Sequence, residues 1–427
     1  MLGGGTYIKQ NKVLPGAYFQ FISKAATSSE LLGRGVVAMG FDLNWGVDGA
    51  IFEVNSTAVQ ENCLKIFGYD YSADEMKYIR ELFLHAKTIY VYKLTSGGTK
   101  ASNDFATALY GGIRGNDLKV VIQKDVDEPT KFIVSLYLGT VKVDEQLVSN
   151  ASELLPNDFV EWKKDAKLEV IAGVALAGGT NGTSDTNAHQ TFLNKVESYP
   201  DVNAIGYFGT DDATKALYVA FAKRMRDEVG IKLQAVVYGH AGDSIACINV
   251  KNQVELVPWV TGVIAGTAVN RSATNILYDG ELVVNTNYTQ KELETAIKTG
   301  EFVLHQVGSD VHVLEDINSM ITTSSEQGDV FKDNQTVRVI DSIATSIASV
   351  FASKYIGKVP NNESGRISLW SDIVRLHQEL SDVQAIEGFV SEDIEVLQGE
   401  SKKTVAVNSA ITVVNTMTKL YMKTVVG

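Results

Sequence analysis

Between residues 168 and 250, strand-like and helix-like patterns alternate, and this alternation constrains the fold more than any other feature of the chain. LEVIAGVAL (168–176) is followed by a helical stretch near 186–198, NAIGYFG (203–209), a helix at 211–228, IKLQAVVYG (231–239) and SIACINV (244–250). Strands separated by helices of that length are joined by crossovers, which implies βαβ units and a largely parallel sheet. The same rhythm runs from 33 to 98. GVVAM (35–39) and TIYVYKL (88–94) read as buried strands, with helical stretches near 57–67 and 74–86 between them.

Residues 100–165 break the rhythm. LKVVIQ (118–123), KFIVSLYL (131–138) and TVKVDEQLV (140–148) alternate at period two around turn residues, with little helix until about 157–164. This is the pattern of a small all-β module inserted between two α/β halves.

Further on, FVLHQVGSDVHVL (302–314) reads as a hairpin turning at Gly308-Ser309. That turn sets Val307 opposite Asp310 and His305 opposite His312, a cross-strand pair with a pH-sensitive reading. Asn334 then reads as the cap of a helix in which Ile340, Ile343, Ile347, Val350 and Phe351 recur at helical spacing. The opposite face carries Ala344, Thr345, Ser346, Ala348, Ser349 and Ala352 in place of charges. Small residues permit close approach, so this helix is expected to pack on two sides. A second amphipathic helix aligns Leu369, Trp370, Ile373, Leu376 and Leu380. Short strands are expected at 393–399, 404–414 and 419–427, the last with no following element to cover it. An uncovered apolar strand pairs or aggregates, so a neighbouring chain is its expected partner. At the other end, Gly3-Gly4-Gly5 leads through Pro15-Gly16 to the strand-like AYFQFI (17–22).

Composition limits the chemistry. The 427 residues carry a net charge of -13, which disfavours nonspecific nucleic-acid binding. The basic cluster Lys223-Arg224-Met225-Arg226 is followed at once by Asp227-Glu228 and reads as a solvated helix face. Cys63 and Cys247 lie far apart without metal spacing and read as buried reduced thiols. The opening MLGGGTYIKQ lacks the apolar core of a signal peptide, and no apolar run approaches bilayer-spanning length. Gly33-Arg34-Gly35 fits a dinucleotide fingerprint by letters, but a strand follows the glycines where the fingerprint requires a helix. Ser244 with His240, and His189 elsewhere, supplies the residue types of a hydrolase, which stays open as an alternative defined by geometry rather than spelling. No cofactor, metal or catalytic set is expected.

Several long segments in order, GRGVVAMGFDLNWG (33–46), EDINSMIT (315–322), FKDNQTVRVIDSIATSI (331–347), YIGKVPNNESGR (355–366) and TMTKLYMKTVV (416–426), resemble the sheath protein of contractile tails of phages, R-type bacteriocins and defective prophages of Gram-positive bacteria. The resemblance begins at PGAYFQF (15–21) and is weakest over 100–165. It implies an α/β (α+β overall), multidomain fold: a parallel-sheet, subtilisin-like core, an inserted β domain, a C-terminal α+β domain and extended terminal arms. The expected divisions are an arm at 1–20, core at 21–99 and 166–265, the insert at 100–165, the C-terminal domain at 266–414 and an arm at 415–427.

The same resemblance implies hexameric rings stacked as a helical polymer around a tail tube, shortening to drive the tube through an envelope. Its implied partners are copies of itself, the tube, baseplate and tail terminator proteins, with no nucleic acid and no membrane. Assembly is expected in the host cytoplasm, followed by residence in the released particle. The arms would pair by strand addition through Tyr7, Ile8, Tyr18 and Phe19 at one end and Leu420, Tyr421, Met422 and Val425 at the other. The helix at 366–382 is expected to face the tube through Arg366, Asp372, Arg375 and Glu379. A non-contractile scaffold polymer is a second alternative.

Overall fold

The computed structural model describes residues 3–5, 16–18 and 33–426. Two short parallel strands come first, β1 (Gly3–Gly5) and β2 (Gly16–Tyr18). The body begins with β3 (Val36–Phe41), β4 (Ile51–Asn55), α1 (Val59–Phe67), α2 (Lys77–Phe83) and β5 (Thr88–Lys93). A β-rich stretch then supplies β6 (Lys100–Ser102), β7 (Ala106–Gly111), β8 (Leu118–Lys124), β9 (Phe132–Leu138), β10 (Val141–Val148), β11 (Val160–Trp162) and β12 (Ile171–Ala175). The α/β pattern resumes with α3 (Thr186–Val196), β13 (Ala204–Gly206), α4 (Asp212–Arg224), β14 (Gln234–Tyr238), β15 (Cys247–Val250), α5 (Val257–Gly266), α6 (Gln290–Lys298) and β16 (Glu301–Phe302).

The body is a seven-stranded sheet in the order β16-β15-β14-β13-β3-β5-β4, parallel except for β4 on the β5 edge. Its strands are apolar on both faces because helices cover both. Val37, Met39, Val236 and Ile248 pack toward α1, α2 and α5, while Ala38, Ile205, Ala235 and Val237 pack toward α3 and α4. On the first side the contact is very close. A Cβ at Gly262 of α5 would lie 2.7 Å from the carbonyl oxygen of Leu82 in α2, so only glycine fits there.

Two sheets, β10-β9-β8-β12 and β11-β7-β6, share one core containing Ala108, Val120, Leu136 and Trp162. Two sequence expectations are corrected here. LEVIAGVAL does not open the parallel sheet: β12 runs antiparallel to β8, and its residues are largely exposed, unlike a strand covered by helices on both faces. A short apolar run does not announce which sheet it joins. Likewise, residues 157–164 hold the strand β11 rather than a helix. The Asn157 side chain accepts the Phe159 and Val160 amides at 2.9 Å each, and this turn starts the strand.

The remainder comprises β17 (Leu304–Val307), β18 (Asp310–Val313), α7 (Asn334–Val350), α8 (Glu363–Asp382), β19 (Ile386–Glu387), β20 (Ile394–Gln398), β21 (Val405–Ser409) and β22 (Thr412–Val413). The β17–β18 hairpin has the expected register, with His305 opposite His312 and Val307 opposite Asp310. Helices α7 and α8 meet through Ile343, Ile347 and Val350 against Ile373, Leu376 and Leu380, with Val339 at the position that spacing gave to Ile340. The expectation that α7 packs on two sides holds only at its start. Asn334–Val339 are buried, but Thr345, Ala348, Ser349 and Ala352 are exposed. With its terminal π-turn, α7 spans 22 residues, long and apolar enough by composition to cross a bilayer, which corrects the expectation that no apolar run approaches that length. Its first turns instead bury Arg338 and Asp341 against the body. No strand forms from residue 414 to residue 426, so the expected last strand is absent within the chain.

Candidate assembly site

The site is built where α7 leaves the body. Its cap is Asp333, whose carboxylate accepts the Gln335 and Thr336 amides at 2.7 and 3.2 Å. This corrects the assignment of the cap to Asn334. Asn334 is instead buried in the first turn, donating to Asp316 at 3.0 Å and accepting from Gln234 at 3.1 Å. Asp316 also accepts the Ala273 amide at 2.8 Å and pairs with Arg338, both side chains being buried. One turn on, Asp341 receives both terminal nitrogens of Arg226 at 2.8 and 2.6 Å. Arg226 is only 4% exposed, so the basic cluster is not a solvated face. Arg224 pairs with Glu197, and Lys223 donates to the Gly242 carbonyl.

Gln335 fixes the C-terminal arm. Its amide nitrogen donates to the Val414 carbonyl at 2.9 Å and its amide oxygen accepts from Thr416 N at 3.1 Å, as a facing strand would. Thr336 adds a bond to Asn415 at 3.3 Å. Beyond that point the arm is uncovered: Leu420 is 88% exposed, Tyr421 89%, Met422 81% and Val425 82%. Tyr18 lies in β2, whereas Tyr7, Ile8 and Phe19 fall outside the described residues. Nothing in the sequence pointed to Gln335, which is separated from Val414 by 79 residues.

Shortly before this exit in the chain lies a two-stranded hairpin, β20 with β21, which among the described residues pairs with no further strand. Its inner side is seated on α8, where Ile394 is buried and its carbonyl accepts the Trp370 indole N–H at 2.9 Å. His377 lies beneath it, with Nδ1 2.9 Å from the Ile373 carbonyl and Nε2 3.1 Å from the Ser409 hydroxyl. That geometry fits the neutral Nδ1–H tautomer, and burial pushes the imidazole below its ordinary range. On the outer side Leu397 is exposed, and Val407, opposite Val396 on the inner face, is also exposed near the hairpin's free edge.

Of the residues expected to face a tube, the structure joins three. Asp372 accepts from Lys354 Nζ at 2.9 Å and the Tyr355 hydroxyl at 2.8 Å, and Arg375 pairs with Glu379 at 2.7 Å and stands 3.8 Å from Asp372. Arg366 is apart, bonded to the Asn361 side chain at 3.1 Å. The outward stripe of α8 also contains Ile367, 57% exposed, which the charge pattern did not single out.

No hydrogen bond among the described residues joins the hydrolase residues to one another. Ser244 Oγ accepts the Ala246 amide at 3.1 Å, the His240 amide donates to Asn249, and His189 Nδ1 lies 2.9 Å from the Tyr218 hydroxyl. Asp243 caps another loop, accepting from Ile321 N at 2.7 Å and Thr322 N at 3.0 Å. Arg34 of the Gly-Arg-Gly turn donates to the Ile264 and Thr267 carbonyls, closing the C-terminal end of α5. Both cysteines are free and buried, with thiols pushed up by burial to about 12 for Cys63 and about 11 for Cys247.

Residues 34–94 match the tail sheath domain III N-terminal region, 96–181 the phage tail sheath β-sandwich domain, 182–319 the central domain and 326–427 the C-terminal domain. The chain is 30% identical to the phage-like element PBSX protein XkdK of Bacillus subtilis, over 98% of this chain and 99% of that one. The sheath tail protein from Desulfitobacterium hafniense is 31% identical, with a TM-score of 0.83 over 95% of this chain and 99% of that one. The contracted helical sheath of the anti-feeding prophage shares the fold, at 10% identity and a TM-score of 0.56 over 97% of this chain and 99% of that one. Matched by four sheath domains in order between residues 34 and 427, the chain belongs to the contractile tail sheath protein family.

Proposed function

We propose that this sheath subunit polymerises into stacked hexameric rings around a tail tube, attaches to a baseplate and a terminator, and shortens to drive the tube through a target envelope. The observation carrying this reading is the arm itself, an apolar segment clamped at its root by Gln335 and exposed beyond it. Such a segment gains backbone hydrogen bonds by adding to a neighbour's open strand edge, and the β20–β21 hairpin offers one. Strand exchange of this kind keeps a lattice connected while the subunit bodies rotate as rigid units between alternative packings. Assembly would take place in the host cytoplasm, and the particle would be a phage tail or a bacteriocin.

A chain ending at Asn415 tests this. It is expected to fold, with a melting profile lowered only slightly by loss of the Thr416–Gln335 bond, and to fail to form long tubes by sedimentation and negative-stain microscopy. Normal tubes would overturn the reading. A tube contact through α8 is proposed with it. Exposed ion pairs contribute only about 0–1 kcal/mol each, so a polar grip can be shed contact by contact. The double variant Arg366→Glu/Arg375→Glu is expected to reduce co-assembly with tube while sparing tube-free polymerisation.

A further inference from the structure

The central sheet reverses its winding between β3 and β13. After β3 the chain builds β5 and β4 to one side, and after β13 it builds β14, β15 and β16 to the other. In doubly wound sheets, connections diverging at such a point leave a crevice beyond the carboxyl ends of the strands, and ligands bind there. Here the crevice is a cavity of about 480 Å³ lined by Phe41 and Asp42 at the end of β3, Tyr207 and Phe208 after β13, Glu75 just before α2 and Tyr78 in its first turn. That volume lies within the range of small-molecule sites.

Its walls are aromatic, and their rings pack on one another. Tyr78 packs on Phe208 with ring centroids 4.3 Å apart, and His189 stands edge-on to Tyr207 at 5.1 Å. Its charge is one-signed. Asp42 and Glu75 line the cavity without a hydrogen-bond or ion-pair partner among the described residues, and no lysine or arginine lines it. Burial pushes the His189 imidazole below its ordinary range against the pull of Asp42, Asp185 and Asp211, so it adds no positive charge at neutral pH. An anion entering would meet two unpaired carboxylates. A neutral apolar molecule would leave them unused. A cation on an apolar body satisfies them and lies against the ring faces.

We propose that this cavity binds an organic cation, an ammonium or guanidinium carried on an aromatic or aliphatic stem. The stem could belong to a free amine or to a lysine or arginine of a neighbouring chain, which presents the same chemistry. The probe is phenethylammonium, titrated by calorimetry into the full-length chain below its assembly concentration. Phenylacetate serves as the anionic control of equal shape. Saturable binding is expected for the amine, with phenylacetate weaker by about tenfold or more, as two lost charge contacts imply. The double variant Asp42→Asn/Glu75→Gln, made at exposed positions and checked by its melting profile, is expected to weaken the amine by a similar factor. No saturable binding, equal binding of phenylacetate, or an unchanged double variant would each overturn the proposal. Repeating the titration on assembled sheath identifies the source: retained binding assigns a free amine, and binding lost on assembly assigns a neighbour's side chain.

Discussion

At the scale of single residues, the most consequential pair is Arg226 with Asp341. It joins the π-turn that follows α4 to α7 across the seam between the sheet body and the C-terminal helices, with side chains 4% and 9% exposed. Removing one partner of such a pair strands a buried charge, a loss of about 3–5 kcal/mol. Asp341→Asn is therefore expected to lower urea-unfolding stability by that amount. Asp329→Asn, in a pair whose acid is 87% exposed, is expected to cost less than about 1 kcal/mol. Four imidazoles make stability depend on pH. Burial depresses His189, His240, His305 and His377 below the ordinary 6.5, with the facing His312 adding to the effect at His305. The unfolded chain takes up protons near 6.5 that the folded chain refuses. Stability present above that value is lost as the pH falls through it toward the folded values. The urea midpoint is thus expected to drop between roughly pH 7.5 and 5.5, with a shallower slope in His377→Asn; equal slopes would exclude His377 as a contributor.

At the scale of elements, local pattern and tertiary context divide the outcome. The hairpin register at 302–314 was legible because the Gly-Ser turn fixes it within the segment. Within the parallel body, β3, β5, β13, β14, β15 and the helices α1 to α4 were legible through periodicity, whereas β4, β16 and α5 were not read from the sequence. The sheet that β12 joins was not, because pairing with β8 is a distant choice that a nine-residue apolar run does not encode. The cap of α7 was misread by one residue because Asp333 and Asn334 are both capping types, and only the buried bond to Asp316 assigns Asn334 inward. The close seat of α5 on α2 yields a test with a sign. Alanine in place of a mid-helix glycine ordinarily stabilises by up to about 1 kcal/mol. At Gly262 the added Cβ would stand 2.7 Å from Leu82 O, so Gly262→Ala is expected instead to lose about 1–3 kcal/mol by chemical denaturation. Gly328→Ala, with open space around the new methyl, serves as the neutral control.

At the scale of the whole molecule, the proposed assembly depends on where the arm leaves the body as much as on the arm itself. The apolar, β-forming character of residues 419–427 was visible in the sequence. The clamp was not, since a glutamine in a helix start carries no mark of a partner 79 residues away. From Thr416 to Val426 the arm has eleven described residues and an extended reach of roughly 36–40 Å. A reach of that size crosses to a neighbouring subunit only if the first residues point away from the chain's own surface, and Gln335 sets that direction from both sides of the backbone. Gln335→Leu keeps most of the volume but removes both bonds, leaving Val414 O and Thr416 N to find water. Two lost hydrogen bonds cost the isolated subunit about 1–3 kcal/mol, which a protein of this size tolerates. Polymerisation is expected to suffer more, because each subunit then orders its arm anew for every contact. The expected result is a raised critical concentration and shortened tubes by sedimentation, with far-ultraviolet circular dichroism unchanged. Wild-type assembly by Gln335→Leu alongside failure of the chain ending at Asn415 would show that the arm acts without a fixed exit.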